Sequence, residues 1–241
     1  QLLSQLFARS DRALIVDWKL EFTQKFKGHI FNPFDQRSVR WAIGRDCETQ
    51  EEAQEFATAL VPEPKGNAEP FFVLAAQAIL TTLIIKLQST KPRKWTWKNL
   101  YEEFSQGHAN ILQACKDYQP HAVNFIGEDA NNKQTIGVLA TVGLRMGVIR
   151  VLARADEDSD EKTPVFSIRS WLKSPMPQQI IVGGVSELES ICRVYMRLFF
   201  VLATKKILGL EDGQKKKIWV VADEFPNLGR VESIPQLIAV G

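Results

Sequence analysis

The feature that most limits what this chain can fold into is its last apolar run, Ile218-Trp219-Val220-Val221-Ala222, followed at once by Asp223-Glu224. Five residues are too few for a stable helix, the run is rich in β-formers, and it lacks the in-and-out alternation of a half-exposed strand. It reads as a central strand of a parallel sheet, covered on both faces, with carboxylates at its tip. Residues 12–17 (Arg-Ala-Leu-Ile-Val-Asp) repeat the form, a short apolar run ending in a carboxylate, and Leu2, Leu3, Leu6 and Phe7 before them fall at helical spacing. Residues 28–31 read as a strand stopped by Asn32-Pro33, and residues 179–182 as a strand turned by Gly183-Gly184. Ser186 is placed to cap a long helix reaching Leu208. Strands that alternate with helices build a parallel sheet, and such sheets bind ligands just beyond the carboxyl ends of their strands.

Between residues 47 and 155 the rhythm changes. Segments 51–60, 70–87, 96–104, 109–116 and 133–155 all read as helices, with Thr96 a plausible N-cap. An all-α segment therefore interrupts the α/β pattern and divides the chain into 1–46, 47–155 and 156–241. The longest apolar stretch, 71–87, approaches the length of a membrane span, but Gln77, Thr81 and Thr82 interrupt it. Its apolar residues surround the whole helix, which is the pattern of a buried core helix. The acidic run 156–161 lacks the glycine and ligand spacing of a calcium loop and reads as a solvated surface loop.

With 241 residues, 45% of them apolar and 24% charged, the chain can bury a large core or a core with a satellite subdomain. A net charge of +2 gives no overall bias toward nucleic acid or anionic lipid, so such contacts fall to local patches. Cys47, Cys115 and Cys192 have neither metal-ligand spacing nor the density of a disulfide framework, and His29, His108 and His121 show no metal spacing either. No secretory signal opens the chain. It starts at Gln1 without an initiator methionine, and we read it as a piece of a longer protein.

The segment 218–224 has the form of a Walker B strand. In phosphoryl transfer, which depends on positioning and charge stabilisation, Asp223 would hold Mg²⁺ and Glu224 would polarise the attacking water. The partner motif, a glycine-rich loop ending in Gly-Lys-Ser/Thr, does not occur in these residues; Gly183-Gly184 has no following lysine. Such a loop normally leads into an amphipathic helix and then a buried strand, the order in which this chain begins, so the expected place of the loop is immediately before Gln1.

Two further stretches make the assignment specific. Phe31-Asn32-Pro33-Phe34-Asp35-Gln36-Arg37-Ser38, with Trp41 close behind, and Phe166-Ser167-Ile168-Arg169-Ser170-Trp171-Leu172 resemble stretches of the TraD-type coupling proteins of conjugation and type IV secretion. So does Asp223-Glu224-Phe225-Pro226-Asn227-Leu228, and the order of motifs is similar from end to end. The resemblance implies a RecA-like P-loop NTPase sheet with an inserted all-α subdomain, and ATP and Mg²⁺ as cofactors. It also implies a homo-hexamer at the cytoplasmic face of the bacterial inner membrane, anchored by segments outside this chain, which moves DNA or protein from relaxosome or adaptor proteins into a secretion channel. The chain departs from the family after its first strand, where Asp17-Trp18-Lys19-Leu20-Glu21 keeps the acidic ends and the lysine but not the usual proline and glycine. Asp17 and Lys19 are candidates for nucleotide contact on this ground.

Lys91, Arg93, Lys94 and Lys98 interleave with Trp95 and Trp97, a pattern suited either to stacking on single-stranded DNA or to an ordinary helix entry with tryptophan packed inward. Lys91, Arg93, Lys94 and Trp95 are thus the candidate DNA contacts. Two other functional classes stand beside the ATPase: a docking module in which segment 47–155 binds relaxosome or adaptor proteins, and another P-loop DNA translocase.

Overall fold

The structure is a computed structural model that describes residues 2–63, 70–158, 162–176, 178–210 and 217–222. In chain order the elements are α1 (Leu2–Ala8), β1 (Arg12–Val16), β2 (His29–Phe31), β3 (Arg40–Trp41), α2 (Ile43–Asp46), α3 (Gln50–Leu60), α4 (Phe71–Thr90), α5 (Trp97–Ser105), α6 (His108–Tyr118), α7 (Val123–Ile126), α8 (Lys133–Glu157), β4 (Val165–Phe166), α9 (Ile168–Lys173), β5 (Gln179–Val182), α10 (Glu189–Leu208) and β6 (Ile218–Ala222). They fall into two compact units, Gln1–Trp41 with Asp158–Gly241, and Ala42–Glu157.

The first unit is built on a four-stranded parallel sheet of order β2-β5-β1-β6. Every residue of β1 and β5 is buried, as continuous apolar runs demand. Ala13, Ile15 and Ile181 point to one face, where Leu3 and Phe7 of α1 and Phe22 cover them. Phe31, Trp41, Phe166, Tyr195 and Phe199 form an aromatic cluster, with the Phe31 ring 4.1 Å from Phe199 and 4.9 Å from Tyr195 between centroids. Here β3 and β4 pair as a separate two-stranded ribbon that joins Trp41 to Phe166. The sequence patterns do not announce these two-residue strands.

Three local features differ from the sequence expectations or add to them. Ser186 opens a 3-10 turn without capping anything through its side chain, and α10 begins only at Glu189. Ser167, part of the 166–172 signature stretch, is a true N-cap, accepting from the Ser170 amide to start α9. The third concerns β6, expected between two partner strands. Among the described residues it pairs only with β1, as the outermost strand, and Val220 is 40% exposed.

The second unit is all helix. Its centre is α4, whose Ala75, Ala76, Ile79, Leu80, Leu83 and Ile84 are fully buried beneath α3, α5, α6 and α8. The polar interruptions in α4 are satisfied: Gln77 Nε2 donates to the Val61 carbonyl at 2.7 Å, and Thr81 and Thr82 bond back to Gln77 and Ala78. Capping boxes at Thr49 with Glu52 and at Thr96 with Asn99 start α3 and α5. The unit opens at Ala42 rather than residue 47, because Ile43–Asp46 is already a helical turn seated against Trp95. It closes at Glu157, since α8 runs on through Asp156 and Glu157, the latter paired with Lys98 at 2.5 Å. Residues 159–161 of the acidic run lie outside the described residues.

Candidate functional site

All four strands of the parallel sheet end level. Val16 stands opposite both Val182 and Ala222, and Phe31 opposite Val182, so Asn32, Gly183 and Asp17 leave the sheet along one carboxyl edge. Asp223 and Glu224, the next two residues after Ala222, lie outside the described residues.

At this edge Asp17 is 5% exposed, and its two carboxylate oxygens accept from the Glu21 amide at 3.1 Å and the Phe22 amide at 2.6 Å. The carboxylate thus ties down the turn that follows β1. Lys19 is exposed and has no ion-pair partner among the described residues. Leu20 sits in the left-handed region, φ 56° and ψ 28°, a conformation that glycine adopts without penalty and leucine does not. This is the position at which the resemblance implies a glycine, and Leu20 takes the left-handed conformation in its place. Gly183 accommodates that replacement, since a Cβ on it would fall 2.3 Å from Leu20 Cδ2 and 2.7 Å from the Asp17 carbonyl.

Gly183-Gly184 is not a phosphate cradle. The Gly184 amide donates to the Trp18 carbonyl at 3.0 Å and the Gly183 amide to Phe31 at 3.4 Å, so both donors a phosphate would use are engaged. Among the described residues no three His, Cys, Asp or Glu side chains gather to hold a metal.

Loop 32–38 is stiffly built. Asn32 Oδ1 accepts from the Phe34 amide, and Ser38 Oγ accepts from the Asn32 amide while lying 3.0 Å from the Ile30 and Val39 carbonyls. Asp35 and Arg37 form a forked ion pair, Nε to Oδ1 at 3.0 Å and an Nη to Oδ2 at 2.7 Å. That fork holds the Asp35 carboxyl below the usual aspartate range. Asn32, 1% exposed, leaves its Nδ2 without a partner among the described residues.

The 167–172 stretch serves packing. Trp171 is 2% exposed and its Nε1 donates to the Gln178 carbonyl, while the buried Arg12 guanidinium lies over the indole and donates to the Leu172 and Ser174 carbonyls. Sequence reasoning passed over Arg12, and a lone charge opening an apolar strand was the available signal.

In the helical unit, Lys91, Arg93 and Lys94 lie exposed on the turn between α4 and α5, with Arg93 at φ 62° and paired to Glu48 at 3.3 Å. Trp95 belongs to the core instead. It is 1% exposed, its Nε1 donates to the Cys47 carbonyl at 3.2 Å, and its ring meets Phe56 edge-on. So placed, the indole has no free face for a nucleobase, and the candidate cluster reduces to its three cations.

A parallel sheet with a level carboxyl edge, interrupted by an inserted helical unit, is an α/β fold with a helical subdomain. The whole chain, residues 1–241, matches the model of the type IV secretion-system coupling protein DNA-binding domain, and it belongs to that family. It is 20% identical to coupling protein TraD of Escherichia coli (strain K12) over 239 residues, covering 95% of this chain and 32% of TraD. Among solved structures it resembles plasmid coupling protein TrwB in complex with ADP and Mg²⁺ (TM-score 0.79, 20% identity, 100% of this chain and 56% of that one). TrwB with a non-hydrolysable ATP analogue is similar at TM-score 0.78 and 20% identity, again with 100% and 56% coverage. The chain thus spans about a third of TraD and about half of the TrwB structures.

Proposed function

We propose that this chain is part of the ATPase motor of a coupling protein, which binds and hydrolyses ATP to drive DNA or protein transfer in conjugation or type IV secretion. The observation that carries this is the parallel pairing of β6 with β1, ending level at Val16 and Ala222 on the edge where such folds take ligands, with the acidic pair Asp223-Glu224 next in sequence after Ala222. Crystallisation of TrwB with ADP and Mg²⁺ and with an ATP analogue supports the same cofactors here.

Asp223 would help hold Mg²⁺, and Glu224 would accept a proton from the attacking water. Bound Mg²⁺ neutralises charge on the phosphates. Of the two residues after β1, Lys19 is the one free to approach an anion, while Asp17 shapes the turn. A Gly-Lys-Ser/Thr loop, which residues 1–241 do not contain, would cradle the phosphates, the motor works as a membrane-anchored hexamer, and Lys91, Arg93 and Lys94 contact DNA phosphates.

The test uses the longer protein with that loop. Asp223→Ala is expected to weaken Mg²⁺-nucleotide binding and turnover together, whereas Glu224→Gln keeps binding and lowers hydrolysis by roughly a hundredfold or more. Equal small effects of both would refute the assignment. A second reading, the helical unit as a docking module for adaptor proteins, is favoured by the apolar face that α8 leaves exposed.

A further inference from the structure

The helix α8 is unusual for its length and polarity. It is apolar enough to be the inner helix of a bundle, yet only 33% of its most apolar window is buried. Ile136, Ala140, Leu144 and Gly147 succeed one another at steps of three or four and so share one face, with Ile136 53% and Leu144 77% exposed. The same face ends in Arg150 and Arg154, both exposed and neither with an ion-pair partner among the described residues.

Beside this ridge lies a groove of about 520 Å³, lined by Gly143, Gly147 and Arg150 of α8 and by Tyr101 and Phe104 of α5, among others. The glycines are informative. A Cβ on Gly143 or Gly147 would meet nothing within 4 Å, so packing inside this chain does not require them. Glycine is the poorest helix former after proline, so two of them inside one helix weaken it with no compensating contact in the chain's own fold. Helix backbones approach each other most closely over such small residues.

We propose that this face of α8 is a docking groove for an amphipathic helix of a partner protein, with small and apolar residues along the contact stripe and carboxylates at the end that meets Arg150 and Arg154. The commitment to an acidic helix rests on charge complementarity: two guanidiniums without ion-pair partners at one end of an apolar stripe match carboxylates by forked hydrogen bonds and fix the direction in which the helix lies. A lipid surface fits less well, because Ile136 and Leu144 are the only strongly exposed large apolar side chains of α8 among the described residues and the helix itself carries no aromatic residue to anchor it at an interface. The inference rests on the docking reading of the helical unit and is independent of the nucleotide site.

The test is a selection. The 241-residue chain serves as bait for a display library of helical peptides about five turns long, and enriched peptides are synthesised and titrated by fluorescence anisotropy. Enrichment of Asp and Glu at one end of an apolar stripe is expected, with binding weakened at least ~tenfold by Arg150→Glu and recovered by peptides carrying lysine in place of the carboxylates. Gly147→Leu, which fills the groove, should abolish binding, while Gly147→Ala should leave the fold at least as stable. Should Gly147→Leu fail to fold, the charge exchange decides alone. Glu224→Gln should bind the peptides unchanged, which separates this outcome from failure of the ATPase reading. The proposal is overturned by enrichment without acidic residues or by no enrichment. Self-association of the chain that Leu144→Lys abolishes makes a second copy the occupant and overturns it too. Competition of the peptides by phosphatidylglycerol vesicles makes the face a membrane surface, with the same consequence.

Discussion

Trp95 separates two accounts of the cluster at residues 91–95, stacking on DNA and packing in the core, and their consequences differ in kind. Trp95 is 1% exposed and its indole meets Phe56 edge-on with centroids 6.0 Å apart, while its main chain lies so close to α2 that a Cβ on Gly44 would fall 2.8 Å from the Trp95 nitrogen. Trp95→Ala removes a whole buried ring and should cost about 4 kcal/mol of stability. Trp95→Phe keeps most of the apolar volume and loses the Nε1 donor. The Cys47 carbonyl retains Gln88 Nε2 at 3.2 Å, so the cost falls to about 1–2 kcal/mol. Replacing Lys91, Arg93 and Lys94 together by alanine should cost about 1 kcal/mol, since the three cations are exposed and only Arg93 meets a half-buried partner, Glu48. If these cations meet DNA, the same triple variant lowers the salt dependence of single-strand binding. Three phosphate contacts at about 0.7 each predict a slope shallower by about 2 in log affinity against log salt. The assays are urea unfolding monitored by circular dichroism, and fluorescence anisotropy on a labelled oligonucleotide across a salt series. A Trp95→Phe variant of unchanged stability that binds DNA more weakly would refute the packing role of this side chain.

The three cysteines should be inert in the native state: all are buried, and burial pushes the Cys115 thiol up to about 11 and raises that of Cys192. Ellman's reagent at about pH 8, near the ordinary thiol value, should find none of them until denaturant is added, and fast labelling of any one would contradict its placement. The Asp35 carboxyl is lowered chiefly by its hydrogen bond with Arg37, so its folded value lies below its unfolded one. The stability it contributes is present above the unfolded value and is lost as pH falls through the folded value. Carboxyl-carbon NMR should show Asp35 titrating below the ordinary range in the native chain and returning toward it in Arg37→Ala; identical midpoints would remove the ion pair from solution.

Much of the architecture was legible because its signals are local. Short apolar runs such as Arg12–Val16 and Gln179–Val182 admit little but buried strands, and the threonine at position 96 with a side-chain partner three residues on announces the start of α5. Family membership was legible from three short motifs, and the whole-chain family match agrees with it. What the sequence could not settle was the destination of side chains whose chemistry suits two roles. Trp95 is equally at home under a base and in a core, and only the packing of α2 and Phe56 around it decides between them. Asp17 has the same carboxylate whether it meets a nucleotide or the Glu21 and Phe22 amides, and the left-handed turn at Leu20 brings those amides to it. Hydrophobic pattern marks α8 as a helix and leaves its burial open, because periodicity reports which faces are apolar and not which have neighbours. The tertiary fold gathers its helical core around α4 and leaves Ile136, Leu144 and two glycines of α8 without neighbours over them, since burial depends on residues far apart in sequence arriving at the same surface.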